Sequence, residues 1–502
     1  MKRPGLLQRL RAAIKPSASY DAAKETRYRK LVRKNLPPNR MVEQASLPLR
    51  MQVRNLERNH DLTRGALRTL VNNVVGPNGI GIEPQPRRKD GTIHEEYANA
   101  LREAFRDWCR RPEVTQSFSW ARCQRMMVRS WWRDGECFAQ GLIGKVPGLD
   151  HGTRVPFSLE LFEADMVPLN LNDNSKRIRQ GIEVNEWGRK RALYVYKLSP
   201  LADNFGLPNI ADVKRISFDN VLHIYTPDRL HQLRGVSELA SVITRLDDLK
   251  DYEESERIAA KLAARLAMYV KRGTPDLYDP EAIARDEQGN PVPREIEIEA
   301  GTIFDGLGVG EEIGLIDTKR PNPNALTWRQ GQLRAAASGA GISNSSFSKS
   351  YDGTYSAQRQ ELVEQWINYA VLTDDFCGMA VVPVWEWFVQ IADMSGVVPR
   401  PADVVPESAD DCLLVAQAMP WIDPLKEANA WNQLVRSGFA SEVEAIRRRG
   451  GSPHDVMEQI AAFRKKAKEK GLVFESDAAT DIAAKAPDYT DPNAPTPGDT
   501  SV

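Results

Sequence analysis

The sequence has no Cys-x-x-Cys pair, no long apolar run and no net charge. Its five cysteines (Cys109, Cys123, Cys137, Cys377, Cys412) are an odd number scattered along 502 residues. A disulfide framework or a zinc site needs closer pairing, so reduced thiols in an intracellular, soluble protein are expected. The most apolar run, Phe376 to Trp385, is about half of a bilayer crossing and contains Pro383. The basic start MKRPGLLQRLRAAIKP lacks the continuous apolar stretch of a secretory signal. Lys and Arg number 68, as do Asp and Glu, which excludes a protein that coats nucleic acid by bulk attraction. Such a balance still permits nucleic acid to slide past.

Catalytic motifs are missing as well. No G-x-x-x-x-G-K-[ST] phosphate cradle occurs, and Glu311 stands where a G-x-G-x-x-G loop through Gly306 and Gly308 needs its third glycine. His94-Glu95 opens like a zinc-protease motif, but Ala98 replaces the second histidine. Asp247-Asp248 and Asp374-Asp375 are adjacent carboxylates, which point to different faces of a helix. No catalytic constellation, metal site or cofactor site emerges, and a non-enzymatic role is expected.

What the chain does have is length for two to four compact units and 41% hydrophobic residues to fill them. Residues 1–40 carry twelve Lys/Arg against Asp21 and Glu25, a basic arm that either touches nucleic acid or an acidic partner or packs, solvated, on a neighbour. Residues 476–502, rich in Pro and Asp with few large apolar side chains, predict a disordered tail. Helical spacing marks 54–75, His94–Cys109 and Ser119–Arg133, where Met126, Met127, Trp131 and Trp132 read as core rather than as a ligand pocket. From Glu136 to Tyr225 the period changes to two, in segments such as ECFAQGLIG, RALYVYKL and NVLHIYTP. The result is an α+β body.

Beyond it, an unusually long helix fits Leu239–Val270, with Leu239, Val242, Leu246 and Leu249 on one stripe and many acids opposite. A β-rich insert, 271–320, precedes a helix at Asn324–Ala340 and a polar, aromatic-tipped loop, NSSFSKSYDGTYS (344–356). A long helix from Ala357 should kink or end at Pro383, and about 410–472 reads as a small helical bundle.

Several segments together carry a resemblance. RNLERNHDLTRGALRTLVNNVVGPNGIGI, DGECF, LELFEADMV, GIEVNEWGR, NVLHIYTPDRLHQLRGVSELASVI, SKSYDGTYSAQRQ and MPWIDPLKEANAWNQLVRSGFAS resemble, in order, the phage portal proteins of the lambda family, from about residue 50 to 472. The resemblance implies a portal fold. Its parts would be an α+β wing at 41–238, stem helices at 239–270 and 321–343 around a β-rich clip at 271–320, and a tunnel loop at 344–356. A kinked wing helix would follow at 357–404 and a helical crown at 405–475.

It also implies a homo-oligomeric ring, typically of twelve subunits, at one capsid vertex of a virion assembled in the host cytoplasm. Double-stranded DNA would be packaged and ejected through its channel. The implied partners are the terminase large subunit, a head-completion or adaptor protein, scaffold and major capsid protein, with no membrane. Phe347, Lys349, Tyr351 and Tyr355 would narrow the channel and touch DNA, or else pack on a neighbouring subunit. Asp305, Glu311, Glu312 and Asp317 would dock the motor on the clip, or else form a solvated rim. A metal-dependent nucleic-acid-processing enzyme is the main rival, and an adaptor without a channel the second. The first requires a carboxylate cluster that the sequence does not show; the second leaves two helices flanking a β insert unexplained.

Overall fold

A computed structural model describes residues 36–197, 212–264, 268–272, 311–315, 324–419 and 423–472, with Arg27, Lys30 and Gln288 besides. The described residues open with α1 (Pro38–Asn59) and α2 (Asp61–Val74), which break at the extended His60 where the sequence predicted one helix over 54–75. Gly76 and Gly79 then adopt positive φ and lead into β1 (Gly81–Pro84). Next come α3 (Glu95–Trp108) and α4 (Trp120–Asp134). The Nδ1 atom of His94 accepts from the Tyr97 N–H (3.2 Å), so this histidine caps α3.

Strands follow: β2 (Glu136–Ile143), β3 (Phe157–Glu163), β4 (Ile178–Arg179), β5 (Ile182–Val184), β6 (Lys190–Tyr196), β7 (Val213–Ser217) and β8 (Val221–Tyr225). One sheet has the order β3-β2-β8, and an antiparallel one runs β4-β5-β6-β7. β7, VKRIS, has too little apolar alternation to stand out in the sequence.

The helix α5 spans Ile243–Ala264, and β9 (Met268–Arg272) takes over where the sequence predicted helix to Val270. β9 pairs antiparallel with β10 (Glu311–Leu315). The remaining elements are α6 (Ala325–Gly339), α7 (Asn344–Ser348), α8 (Tyr355–Phe376), α9 (Val382–Met394), β11 (Cys412–Val415), α10 (Pro424–Arg436), α11 (Glu442–Arg448) and α12 (Pro453–Glu469). Between α8 and α9, Cys377–Val381 form a π turn. A proline ring clashes with the carbonyl four residues back, and widening the ladder just before Pro383 lets the helix continue. The segment read as purely helical from 410 contains β11, which pairs with β1 in the register Gly81↔Val415.

The chain divides into two compact units. The first draws on Met1–His60, Ser130–Phe138 and Phe162–Lys250. Its core gathers Phe138, Ala164, Val167, Ile182, Leu193, Val195, Ile216 and Val221. Leu239, Val242, Leu246 and Leu249 are buried, as their single stripe requires. The second unit draws on Asp61–Arg129, Ala139–Leu161 and Asp251–Val502. Trp108 anchors its core, stacked on Phe157 at 5.2 Å with its indole N–H donating to the Phe157 carbonyl (2.9 Å). Phe105 meets Trp385 and Phe388 edge-on at 5.2 and 5.0 Å, geometries that favour aromatic pairs.

Candidate functional site

Two helices and a loop carry the residues singled out in the sequence. α5 and α6 touch through Tyr252 and Trp328 (4.2 Å between rings) and through Arg329 Nε, 2.5 Å from Glu253 Oε1. Asp247, Asp248, Asp251 and Glu254 are exposed on α5. After α6, the backbone turns at Gly341, whose carbonyl accepts from Gln365 (3.0 Å) and Asn368 (2.6 Å) of α8. Ser343 caps α7, and Glu361 receives both the N–H and the hydroxyl of Ser345. These bonds pin 341–348 against α8.

The loop is therefore partly helical, which corrects the expectation for one of its residues. Phe347 is 2% exposed, buried by α7, and cannot present bulk to a channel. Lys349, Tyr351 and Tyr355 are exposed, and Tyr355 opens α8. Lys349 ends α7 in the left-handed region (φ 57°), with Nζ 3.0 Å from Thr69 Oγ1. A non-glycine residue there costs about 1 kcal/mol. Lys349→Gly is expected to raise unfolding stability by about 0.5–1 kcal/mol in urea titrations while deleting the loop's only cation. A loss of stability would show that the bond to Thr69 outweighs the strain.

Of the clip acids, Asp305 and Asp317 lie outside the described residues. Glu312 is exposed. The register sets Glu311 opposite Arg272 and Glu312 opposite Lys271, so each acid has a base at its cross-strand position. Among the described residues, no group of three or more His, Cys, Asp or Glu could hold a metal. No described helix is long and apolar enough to cross a membrane.

The densest polar assembly was not foreseen. In the first unit, Glu136 at the start of β2 is fully buried, and Arg234 Nη2 lies 2.6 Å from its Oε1. The Gly235 N–H donates to Oε2 (3.0 Å), and His223 Nε2 is 3.0 Å from the same oxygen. An ionised carboxylate only accepts, so His223 carries its proton on Nε2 and its Nδ1 accepts from Lys190 Nζ at 2.7 Å. His223 is sandwiched between Phe138 (4.3 Å) and Tyr225 (4.1 Å), and Lys190 sits over the Tyr225 ring.

Burial alone would raise the Glu136 carboxyl, but Arg234 and His223 outweigh it and hold the group well below the usual carboxylate range. Burial, then Lys190, brings His223 down to about 3, against the pull of Glu136. Burial likewise brings the Lys190 amine down to about 7, against Glu136 and with Arg234. Arg50 links this centre to Asp165 (3.2 Å), and Arg54 bridges Asp165 and Asp134 (2.7 Å each). Arg133 completes the chain to Asp134 (2.6 Å).

Two glycines permit the assembly. A Cβ on Gly135 would lie 2.3 Å from the Val236 carbonyl carbon, and one on Gly235 2.0 Å from the Gly135 oxygen. The D-G-E and R-G pairs were the available signal: a charge beside a glycine in each of two segments.

The sequence profile of the phage portal proteins of the lambda family matches residues 24–372. A probable portal protein of Halomonas phage phiHAP-1 is 25% identical over 462 residues, spanning 89% of this chain and 86% of the relative. Among solved structures, a chain from the neck of an empty gene transfer agent particle, computed with C6 symmetry, is 12% identical with a TM-score of 0.43. That match covers 80% of this chain and 93% of the other. A chain from the virion of a native gene transfer agent particle gives 12% identity and a TM-score of 0.41, covering 81% and 94%. With the family profile covering well over half of its length, the chain belongs to the lambda family of phage portal proteins.

Proposed function

We propose that the chain closes with copies of itself, twelve in number, into a ring at one vertex of a phage head, and that double-stranded DNA enters and leaves through the ring's channel. The family match over residues 24–372 carries this reading. The wing is assigned to 41–238, the stem to α5 and α6 within 239–270 and 321–343, and the clip to 271–320, where β10 pairs with a β9 that straddles the stem–clip boundary. The segment 344–356 lines the tunnel, 357–404 returns to the wing, and 405–475 forms the crown. Negative-stain electron microscopy of the purified protein tests the ring: circular particles with a central hole are expected. Compact dimers that cleave nucleic acid when given Mg²⁺ would instead establish the enzyme reading.

A channel that moves DNA must not grip it, because every phosphate neutralised by Lys or Arg adds affinity and friction. The exposed acids of α5 suit that requirement, and the tunnel segment offers a single cation, Lys349, beside the exposed Tyr351 and Tyr355. Replacing Lys349, Tyr351 and Tyr355 together by Ala is expected to reduce DNA packaged and retained per head, with ring assembly unchanged. Wild-type DNA content in such heads would remove the tunnel role.

At the clip, Glu312 with Glu311, Asp305 and Asp317 docks the terminase large subunit and later the head-completion protein. Glu311→Lys with Glu312→Lys is expected to weaken terminase binding several-fold in a pull-down, less at high salt, since rim charges act through screened attraction. Unchanged binding would leave these acids a solvated rim.

A further inference from the structure

The turn between β5 and β6, in the first unit, carries Trp187, which is 93% exposed. The Asn185 side-chain oxygen accepts from the Trp187 and Arg189 N–H groups at 3.0 and 2.8 Å. The Gly188 N–H donates to the Asn185 carbonyl (3.1 Å), with Gly188 at φ 81°. The turn is thus fixed, so little conformational freedom is lost when its indole is covered. Arg179 lines the same cleft as Trp187, Arg189 and Arg191 follow it in the chain, and all three are exposed. Glu186 beside them is tied to Arg177 at 3.0 Å. Tryptophan and arginine are the residues on which binding energy concentrates at protein interfaces.

The second unit offers the converse surface. A pocket of about 220 Å³ is lined by Trp366, Tyr369, Ala370 and Asp374 of α8, with Cys377 and the β11 residue Leu414. It is smaller than an ordinary small-molecule site and has room for one large side chain. Ile367 and Val371, on the same helix, are exposed apolar residues. Asp374 and Asp375 are exposed as well. Burial and then Asp374 push the Asp375 carboxyl up, as in an acid pair short of a cation.

We propose that Trp187 of one copy fills the α8 pocket of the next, a head-to-tail contact that rests on the ring reading above. A ring closed by rotation needs two unlike, complementary faces on every copy. Here one face projects an aromatic side chain amid arginines, and the other recesses an apolar pocket beside aspartates. An unrelated partner would call for only one of these surfaces, whereas a ring uses both. Covering an indole takes about 150–250 Å² out of water. Arg179, Arg189 and Arg191 then face Asp374 and Asp375, and this pairing of opposite charges selects the partner face and sets its register. Within a single chain Trp187 stays uncovered, so the pocket that receives it belongs to another copy.

The test places the photoreactive residue p-benzoylphenylalanine at position 187 of the full-length protein, with rings counted by electron microscopy. Irradiation is expected to link chains into a ladder, with the new bond on residues 366–377 of a second copy by peptide mass spectrometry. Trp187→Ala and Ala370→Trp, both at exposed positions, should each raise the protein concentration needed for assembly on the order of tenfold. Mixed one to one, at a concentration where neither assembles alone, they should form dimers and nothing larger. Only one variant brings the tryptophan, and only the other the open pocket. Intact rings whose cross-links map elsewhere would overturn this contact and leave the ring standing. Wild-type protein that never passes monomer, with no ladder, would overturn the ring and the contact together.

Discussion

Glu136→Gln is expected to lower the unfolding free energy by about 3–5 kcal/mol, because it removes one partner of a buried ion pair and keeps the other. The substitution conserves volume, so no cavity enters the comparison. What changes is that the Arg234 guanidinium, fully buried, loses the carboxylate 2.6 Å away, and Arg50, 1% exposed, loses its neighbour at 3.7 Å. Backbone carbonyls of Gln180, Ala164 and Val167 still accept from Arg234, but they offer dipoles in place of a charge. Urea unfolding followed by circular dichroism reads the effect, and a loss below about 1 kcal/mol would show that those carbonyls suffice. Pairing Glu136→Leu with Arg234→Met should recover much of the loss, since exchanging both charges removes the desolvation cost with the attraction. Gly235→Ala should fail for a separate reason: its Cβ would lie 2.0 Å from a backbone oxygen that cannot move without β2.

The sequence made the framework visible where burial is one-sided. Leu239, Val242, Leu246 and Leu249 are all buried, as the predicted stripe required, although α5 begins only at Ile243 and the first two precede it in a turn. The helix predicted over His94–Cys109 was likewise legible, and its Phe105 and Trp108 are buried. Breaks that depend on single backbone torsions were not: His60 separates α1 from α2, and the π turn at Cys377–Val381 absorbs Pro383 without ending the helix. Phe347 was misplaced because polar neighbours disguise a one-turn helix that buries a lone aromatic. Glu136, His223, Arg234 and Lys190 stayed hidden for a deeper reason. They come from three separate stretches, and nothing local distinguishes a buried ion from a solvated one. Only the two glycines hinted at a close approach, and a glycine beside a charge is common in ordinary turns.

The same centre makes the first unit sensitive to proton concentration, and its sign can be worked out group by group. Lys190 binds its proton near 7 when folded and near 10.5 when unfolded, so between those values the unfolded chain holds more protons and stability rises with pH. His223 repeats the pattern from about 3 to 6.5. Glu136, depressed in the fold, contributes stability above the unfolded value of 4.5 that is lost as pH falls toward its folded value. All three groups therefore destabilise the unit on acidification. Thiols act oppositely at high pH, since burial raises Cys137 well above 9, which confines the clean window to pH 7–9. Across it, Lys190 alone should add about 2 kcal/mol of stability, and Lys190→Met should remove that slope. Urea unfolding at pH 7, 8 and 9 for both proteins measures the difference directly. Parallel lines for wild type and Lys190→Met would mean that the amine keeps its proton in the fold, with Glu136 prevailing over burial.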